Sequence, residues 1–370
     1  MLLFAGTVFV VSGFLLLYPF TLYPLILRAL PRHPIPSEGG GRPESRMALL
    51  FAARNEVRDL PVTLRSLRSL KRHWPELEIL AWNDGSTDAT GGILAGAADI
   101  LRPLGSDRPI GKAAALRRMM ALTDAEVVIF MDANIRFRAT DLDGLRGVFA
   151  DQRVGAVGAR TVHAGAAGRG MISRAYWALE ERIKMMESAS GSTMGCDGAL
   201  WAIRRSCYPR FDARAADDFR PSMEPLLRGR RVISLPGLAV RERPEPKDGA
   251  AVRAARIATG AWYAHREIAP RLRALGWLDR FKYVSHKYLR WFSGVWLALW
   301  LISGLAVAVL AGWGAMAVSG LLALALGARL GLWPAAGIWS IGARFFATTA
   351  GILRAMRGGA QPDWQPMRAE

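Results

Sequence analysis

Through the middle of the chain, short runs of apolar residues alternate with amphipathic stretches, and most of the runs end in a polar cluster. MALLFAA (47–53), LEILAWND (77–84), EVVIFMDAN (126–134) and VGAVGARTV (154–162) read as strands. Leu60, Leu64, Leu67 and Leu70 recur at spacings of three and four, which predicts a helix over 57–72. Strands alternating with helices predict an α/β domain on a parallel sheet, where ligands sit beyond the carboxyl ends of the strands. Asn55 and Glu56, Asn83 and Asp84, and Asp132 and Asn134 all fall at or just after such ends. A polar crevice is expected there.

The two ends of the chain follow another pattern. Residues 1–27 and 291–328 carry no charged side chain, and each stretch is long enough to cross a hydrocarbon core of ~30 Å. The first lacks a basic leader and a small-x-small cleavage site, so it reads as an uncleaved anchor and not as a signal peptide. The predicted organisation is an N-terminal anchor over 1–27, a Pro/Gly/Ser-rich linker over 28–46 and a globular domain over 47–260. A basic amphipathic interface helix over 261–290 follows, then a membrane block over 291–356 and a tail over 357–370. Within that block, spans are expected at 291–311 and 313–332, and a third apolar piece, 336–353, is interrupted by Arg344.

Composition and charge narrow the function. Of 370 residues 51% are hydrophobic, more than a soluble domain needs, and the formal net charge is +18. No zinc-finger, helix-turn-helix or aromatic RNA-binding pattern accompanies that charge, so no nucleic-acid partner is expected. Anionic membrane lipid and a phosphorylated donor account for it instead. Arg28, Arg32, Arg42 and Arg46 follow the first anchor and place the domain on the cytoplasmic side of a multi-pass protein of the inner membrane. Two cysteines, Cys196 and Cys207, fit a reducing compartment.

In WNDGSTDAT (82–90), Gly85 allows a tight turn, and Ser86, Thr87 and Asp88 are suited to capping the next helix. Asp132 and Asn134 present two hard oxygens two residues apart, as a divalent cation shared with a diphosphate requires; the alternative is that Asp132 caps a turn. PIGKAAALRRMM (109–120) is not a P-loop. Five residues separate Gly105 from Gly111, and Ala113 follows Lys112. Lys112 still begins a predicted helix, where it can face a phosphate. Asp217 and Asp218 head another helix, and a neighbouring like charge raises a carboxylate toward the range of a general base; a plain acidic cap is the bland alternative. Arg253 and Arg256, one turn apart, suit a diphosphate leaving group.

AARNE, NDGSTD, GKAAAL, DAN, GALWAIRR and DDF occur in that order from about residue 47 to 260. Together they resemble the membrane-bound glycosyltransferases of family 2, including the bacterial synthases for poly-N-acetylglucosamine and hyaluronan. The resemblance implies a GT-A-type nucleotide-sugar-binding domain flanked by transmembrane helices. It also implies an inverting transfer from a nucleotide sugar, a UDP-sugar above all, to a lipid-linked or glycan acceptor. By the same resemblance Glu56, Asp84, Lys112, Asp132, Arg253 and Arg256 belong to the donor. Asp132 and Asn134 would hold Mg2+ or Mn2+, Asp197, Gly198 and Asp217 would face the acceptor, and Asp218 would be the base. Two departures stand out: Asn134 occupies the place of a second carboxylate, and Ile257 follows Arg256 where the family carries Trp. They leave open a catalytically silent scaffold that binds a nucleotide or a partner synthase.

Overall fold

The structure, a computed structural model, describes residues 1–34, 45–163, 171–242 and 249–359. The linker expected over 28–46 and the tail over 357–370 lie largely outside these residues. The segment expected as an N-terminal anchor is not one helix: α1 (Leu2–Leu17) gives way to a 3-10 turn at Tyr18–Phe20, where Pro19 removes a backbone donor, and α2 (Leu22–Ala29) follows.

β1 (Met47–Ala53), α3 (Leu60–His73), β2 (Glu78–Asp84), α4 (Thr90–Ala95), β3 (Arg102–Ser106), α5 (Lys112–Met120) and β4 (Val127–Asp132) form the first half of the domain, with all four strands parallel. β5 (Ile135–Arg136), α6 (Asp143–Val148), β6 (Val154–His163), α7 (Met171–Ala189), β7 (Leu200–Arg204), α8 (Phe219–Leu227) and β8 (Arg231–Glu242) complete an eight-stranded sheet of order β3-β2-β1-β4-β7-β6-β8-β5. The sheet departs from the all-parallel expectation because β7 runs antiparallel to both β4 and β6, and β5 runs antiparallel to β8. LWAIR is buried throughout, so its pattern carries no information about direction.

Leu60, Leu64, Leu67 and Leu70 of α3 cover one face of the sheet. Leu116, Met119, Phe219, Met223 and Tyr263 cover the other. Register then aligns the polar strand ends: Ala53 lies opposite Asn83, and Ala52 opposite Asp132.

Beyond the sheet, α9 (Ala250–Ile268) leads to the segment expected as a single interface helix. Pro270 and Gly276 break it into a 3-10 turn at Ala269–Ala274, α10 (Trp277–Lys282), a π-helical turn at Tyr283–Tyr288 and α11 (Leu289–Trp291). α12 (Ser293–Leu310), α13 (Gly314–Arg329) and α14 (Ala335–Met356) follow. By length and composition, two helical stretches among the described residues are able to cross a membrane, Leu2–Phe20 and Ser293–Leu310. They pack together through small residues: Phe9 stacks on Trp300 at 5.5 Å between centroids, and a Cβ added at Gly13 would lie 2.9 Å from the Trp300 ring.

One buried carboxylate ties this helical layer to the domain. Glu187, on α7, accepts hydrogen bonds from Tyr23 Oη (2.5 Å) in α2 and from Thr193 Oγ1 (3.1 Å) and Met194 N (3.2 Å) in the following loop; its Oε1 lies 2.8 Å from His286 Nδ1. Lys282, fully buried, donates to the carbonyls of Glu187, Ser190 and Ser192 at 3.0–3.2 Å and so caps the end of α7.

α14 is docked on the domain as well. Thr259 Oγ1 of α9 donates to the Gly351 carbonyl at 3.1 Å, and any Cβ at Gly351 would overlap the Ala255 carbonyl. Gly351→Val should therefore cost about 1–3 kcal/mol and lower the melting temperature in detergent. Gly320→Val, at a position with nothing within 4 Å of an added Cβ, should melt close to the wild type. Equal melting of the two variants would contradict the α9–α14 contact.

Candidate active site

The loops after β1 and β2 brace each other. Asn55, in the left-handed region at φ 54°, accepts from Thr87 N at 2.8 Å, and its own N–H donates to Ser86 Oγ at 3.1 Å. Glu56 is buried, and its N–H donates to Thr90 Oγ1 at 2.7 Å. Asp88 accepts from Thr90 N (2.9 Å) and Val57 N (3.3 Å). Sequence reading saw Asp88 only as a cap for its own helix; its second bond crosses to the loop after the neighbouring strand.

Asp84, fully buried, accepts from Ile110 N (2.7 Å) and Gly111 N (3.0 Å). Both carboxylate oxygens thus hold the entry to α5, at the point where Lys112 begins. Gly85 (φ +61°) is required here, because a Cβ would sit 2.6 Å from Pro109 N.

Lys112 joins the two halves of the site. Its Nζ lies 2.7 Å from Asp132 Oδ1 at the end of β4 and 2.9 Å from Asp217 Oδ2 before α8. Burial alone would push its pKa down; the carboxylates of Asp132, Asp217 and Asp218 more than reverse this, so the ammonium stays charged. The backbone on either side of Asn134 is held by Thr63, whose hydroxyl lies 2.7 Å from the Ala133 carbonyl and 3.1 Å from that of Ile135. Thr63 escaped sequence reading because it sits in the buried stripe of an amphipathic helix.

Asp218 is the N-cap of α8 and accepts from Phe219 N at 2.5 Å. Burial first, and then the Asp217 charge, push its pKa up to about 7, against the opposing pull of Lys112. Gly198 makes room for it, since a Cβ at that position would lie 2.8 Å from Asp218 Oδ2. Next in the chain, Asp197 pairs with Lys184 Nζ at 2.5 Å, and Lys184 also contacts Glu181. Burial drives Glu181 up to about 7. Lys184 and Glu181 are site neighbours that the sequence did not suggest, because on α7 they read as ordinary helix charges.

Lys112 therefore brings Asp132 and Asp217 together beside Asp218, with Gly198 against Asp218, Asp197 next to Gly198 in the chain, Asn134 two residues beyond Asp132, and Asp84 holding the loop before Lys112. Arg253 is engaged elsewhere: its guanidinium lies 3.2 Å from Glu242 Oε1, at the end of β8 and paired in register with Ile135 beside Asn134. Arg256 lies one turn further along α9.

Among the described residues, no three His, Cys, Asp or Glu side chains gather as a metal site. Lys112 occupies Asp132 Oδ1, which leaves Asp132 Oδ2 and the Asn134 amide oxygen as hard ligands. That pair suits a divalent cation that draws its remaining ligands from phosphate and water.

Residues 49–210 match the family model described as Glycosyl transferase family 2. No curated protein matches the chain. Among solved structures, a mannosyltransferase from Pyrobaculum calidifontis in complex with GDP-Man and Mn2+ superposes with a TM-score of 0.76 at 20% identity, covering 95% of this chain and 99% of that one. A mannosyl-3-phosphoglycerate synthase from Rubrobacter xylanophilus aligns at a TM-score of 0.43 and 17% identity, over 69% and 86% of the respective chains. The first likeness shows a shared GT-A-like fold. With the motif loops braced at one sheet edge and the family match running from β1 past β7, residues 49–210 are similar to the family 2 glycosyl transferases, and the protein is a glycosyltransferase.

Proposed function

We propose that the protein transfers a hexose, with inversion, from a nucleoside diphosphate sugar to a hydroxyl of a lipid-linked or glycan acceptor at the cytoplasmic face of the inner membrane. A UDP-sugar is the first candidate donor, and GDP-mannose, which the Pyrobaculum relative holds, is the second. The observation that carries the reading is the Lys112 bridge, which sets a buried cation between the strand end suited to a diphosphate and the acidic pair suited to a base.

In this reading the acceptor O–H gives its proton to Asp218, and its oxygen forms a bond to the anomeric carbon. The bond from that carbon to the diphosphate breaks, and the electron pair leaves with the diphosphate, facing Lys112. Burial first, and then the neighbouring Asp217 carboxylate, keep Asp218 basic. A divalent cation held by Asp132 and Asn134 would supply charge neutralisation at the diphosphate. The order of the sequence motifs favours a glycan acceptor, whereas Ile257 in place of Trp favours single additions. α1 and α12 support membrane anchoring, and the arginines after α1 support the orientation.

Asp218→Asn should lower transfer by the roughly 10²–10⁴-fold typical of a lost general base, while donor affinity stays near wild type. The rate should rise with pH through about 7 as Asp218 ionises. Asp217→Asn should move that limb to lower pH, because it removes the like charge. A pH–rate profile unchanged in Asp217→Asn, or full turnover in Asp218→Asn, would remove Asp218 from this role.

With a single carboxylate at the cation position, titration calorimetry should show negligible Mn²⁺ binding to the free protein and measurable binding once the nucleoside diphosphate is present. Asn134→Asp should bind Mn²⁺ without nucleotide. Strong binding of Mn²⁺ alone by the wild type would exclude the assignment of Asn134.

A further inference from the structure

We propose that the cleft between α1 and the segment formed by α10 and the π-helical turn holds one hydrocarbon chain of an anionic membrane lipid, with the lipid's phosphate at Arg280. The inference rests on the membrane anchoring proposed above.

The cleft is a shallow groove of about 480 Å³, open along one side as a groove facing acyl chains would be. Phe14, Leu15 and Tyr18 of the N-terminal anchor form one wall, and Phe281, Val284 and Leu289 form the other. Its two hydroxyls already satisfy each other, since Tyr18 Oη and Ser285 Oγ lie 2.9 Å apart. A water or sugar inside would find few of the two to four polar partners it needs, whereas a methylene chain needs none.

What covers the cleft follows from its surroundings. Phe14 is 52% exposed and continues the exposed apolar face of α1 through Val10, Val11 and Leu17, the face that acyl chains would coat in a spanning helix. At the rim, Trp277 is 68% exposed, the placement of an aromatic at the headgroup level. Arg280 is exposed there too and has no ion-pair partner among the described residues, so a phosphate would complement it. The opposite side of the same segment is committed to the domain through Lys282 and His286. The cleft is thus separate from the sugar-transfer crevice.

The test is native mass spectrometry of the full-length protein in detergent, titrated with palmitoyl-oleoyl phosphatidylglycerol or phosphatidylcholine. The wild type should take up one phosphatidylglycerol ahead of any others, about fivefold more tightly than phosphatidylcholine, as one interfacial arginine provides. Val284→Trp, and from the facing wall Leu15→Trp, should abolish that first event while nucleotide binding shows the domain intact. Arg280→Gln should keep chain uptake and lose the headgroup preference. First-event binding unchanged in whichever filled variant retains nucleotide binding, or equal affinity for both lipids in the wild type, would overturn the proposal. Alkaline extraction of cell membranes separates the two failures: a protein that stays membrane-bound but ignores both tryptophans refutes the cleft alone, and one released as soluble protein refutes the anchoring as well.

Discussion

A single buried ammonium organises the catalytic end of this fold. Lys112 reaches the end of β4 and the head of α8, elements that no other described ion pair connects at the crevice. Without it Asp132, Asp217 and Asp218 would bring three carboxylates together with no cation among them, and at least one would have to stay protonated. With it the charges divide: Asp132 and Asp217 share the cation, and Asp218, left with burial and a like-charged neighbour, is the group driven toward neutrality. Placing Lys112 is in turn the task of Asp84, whose carboxylate grips the two N–H groups just before it. A strand-end aspartate expected at the donor also shapes the loop that leads into Lys112.

A second carboxylate sets where the crevice stands relative to the apolar helices. Burial alone would push Glu187 up; His286 and the Tyr23 hydroxyl hold it below the usual carboxylate range. Tyr23 belongs to α2, His286 to the segment leading into α12, and Thr193 and Met194 to the loop that carries Asp197 and Gly198 past Asp218. The apolar helices and the loop of Asp197 and Gly198 therefore share one buried hydrogen-bond acceptor. Breaking such a group leaves its partners unpaired and buried, which is costly.

Much of this was legible in the residues. Four strands stood out because their apolar runs are unbroken, and the crevice because polar residues follow three of them. The α3 stripe was plain from leucine spacing. What stayed hidden depends on distance along the chain. Nothing in the spacing links Lys112 to Asp217 more than a hundred residues later, and nothing in α7 itself shows that His286, some hundred residues on, comes to lie against Glu180 and Glu187. β7 is apolar on both faces and so shows neither its direction nor its place between β4 and β6. Arg253 looked available for a diphosphate because Glu242, its partner, sits on a strand that the apolar pattern did not single out. The breaks at Pro19, Pro270 and Gly276 were visible as residues but were outweighed by long apolar or amphipathic runs.

The central claim is that Asp218 takes a proton from the acceptor while the diphosphate leaves on the Lys112 side, which requires a single displacement at the anomeric carbon. Proton NMR of the product formed from an α-linked nucleotide sugar measures this directly through the anomeric coupling constant. The account predicts a β-linked product. An α-linked product, or no transfer from any of a panel of uridine and guanosine diphosphate sugars supplied with Mn²⁺ and membrane lipid extract, would contradict it.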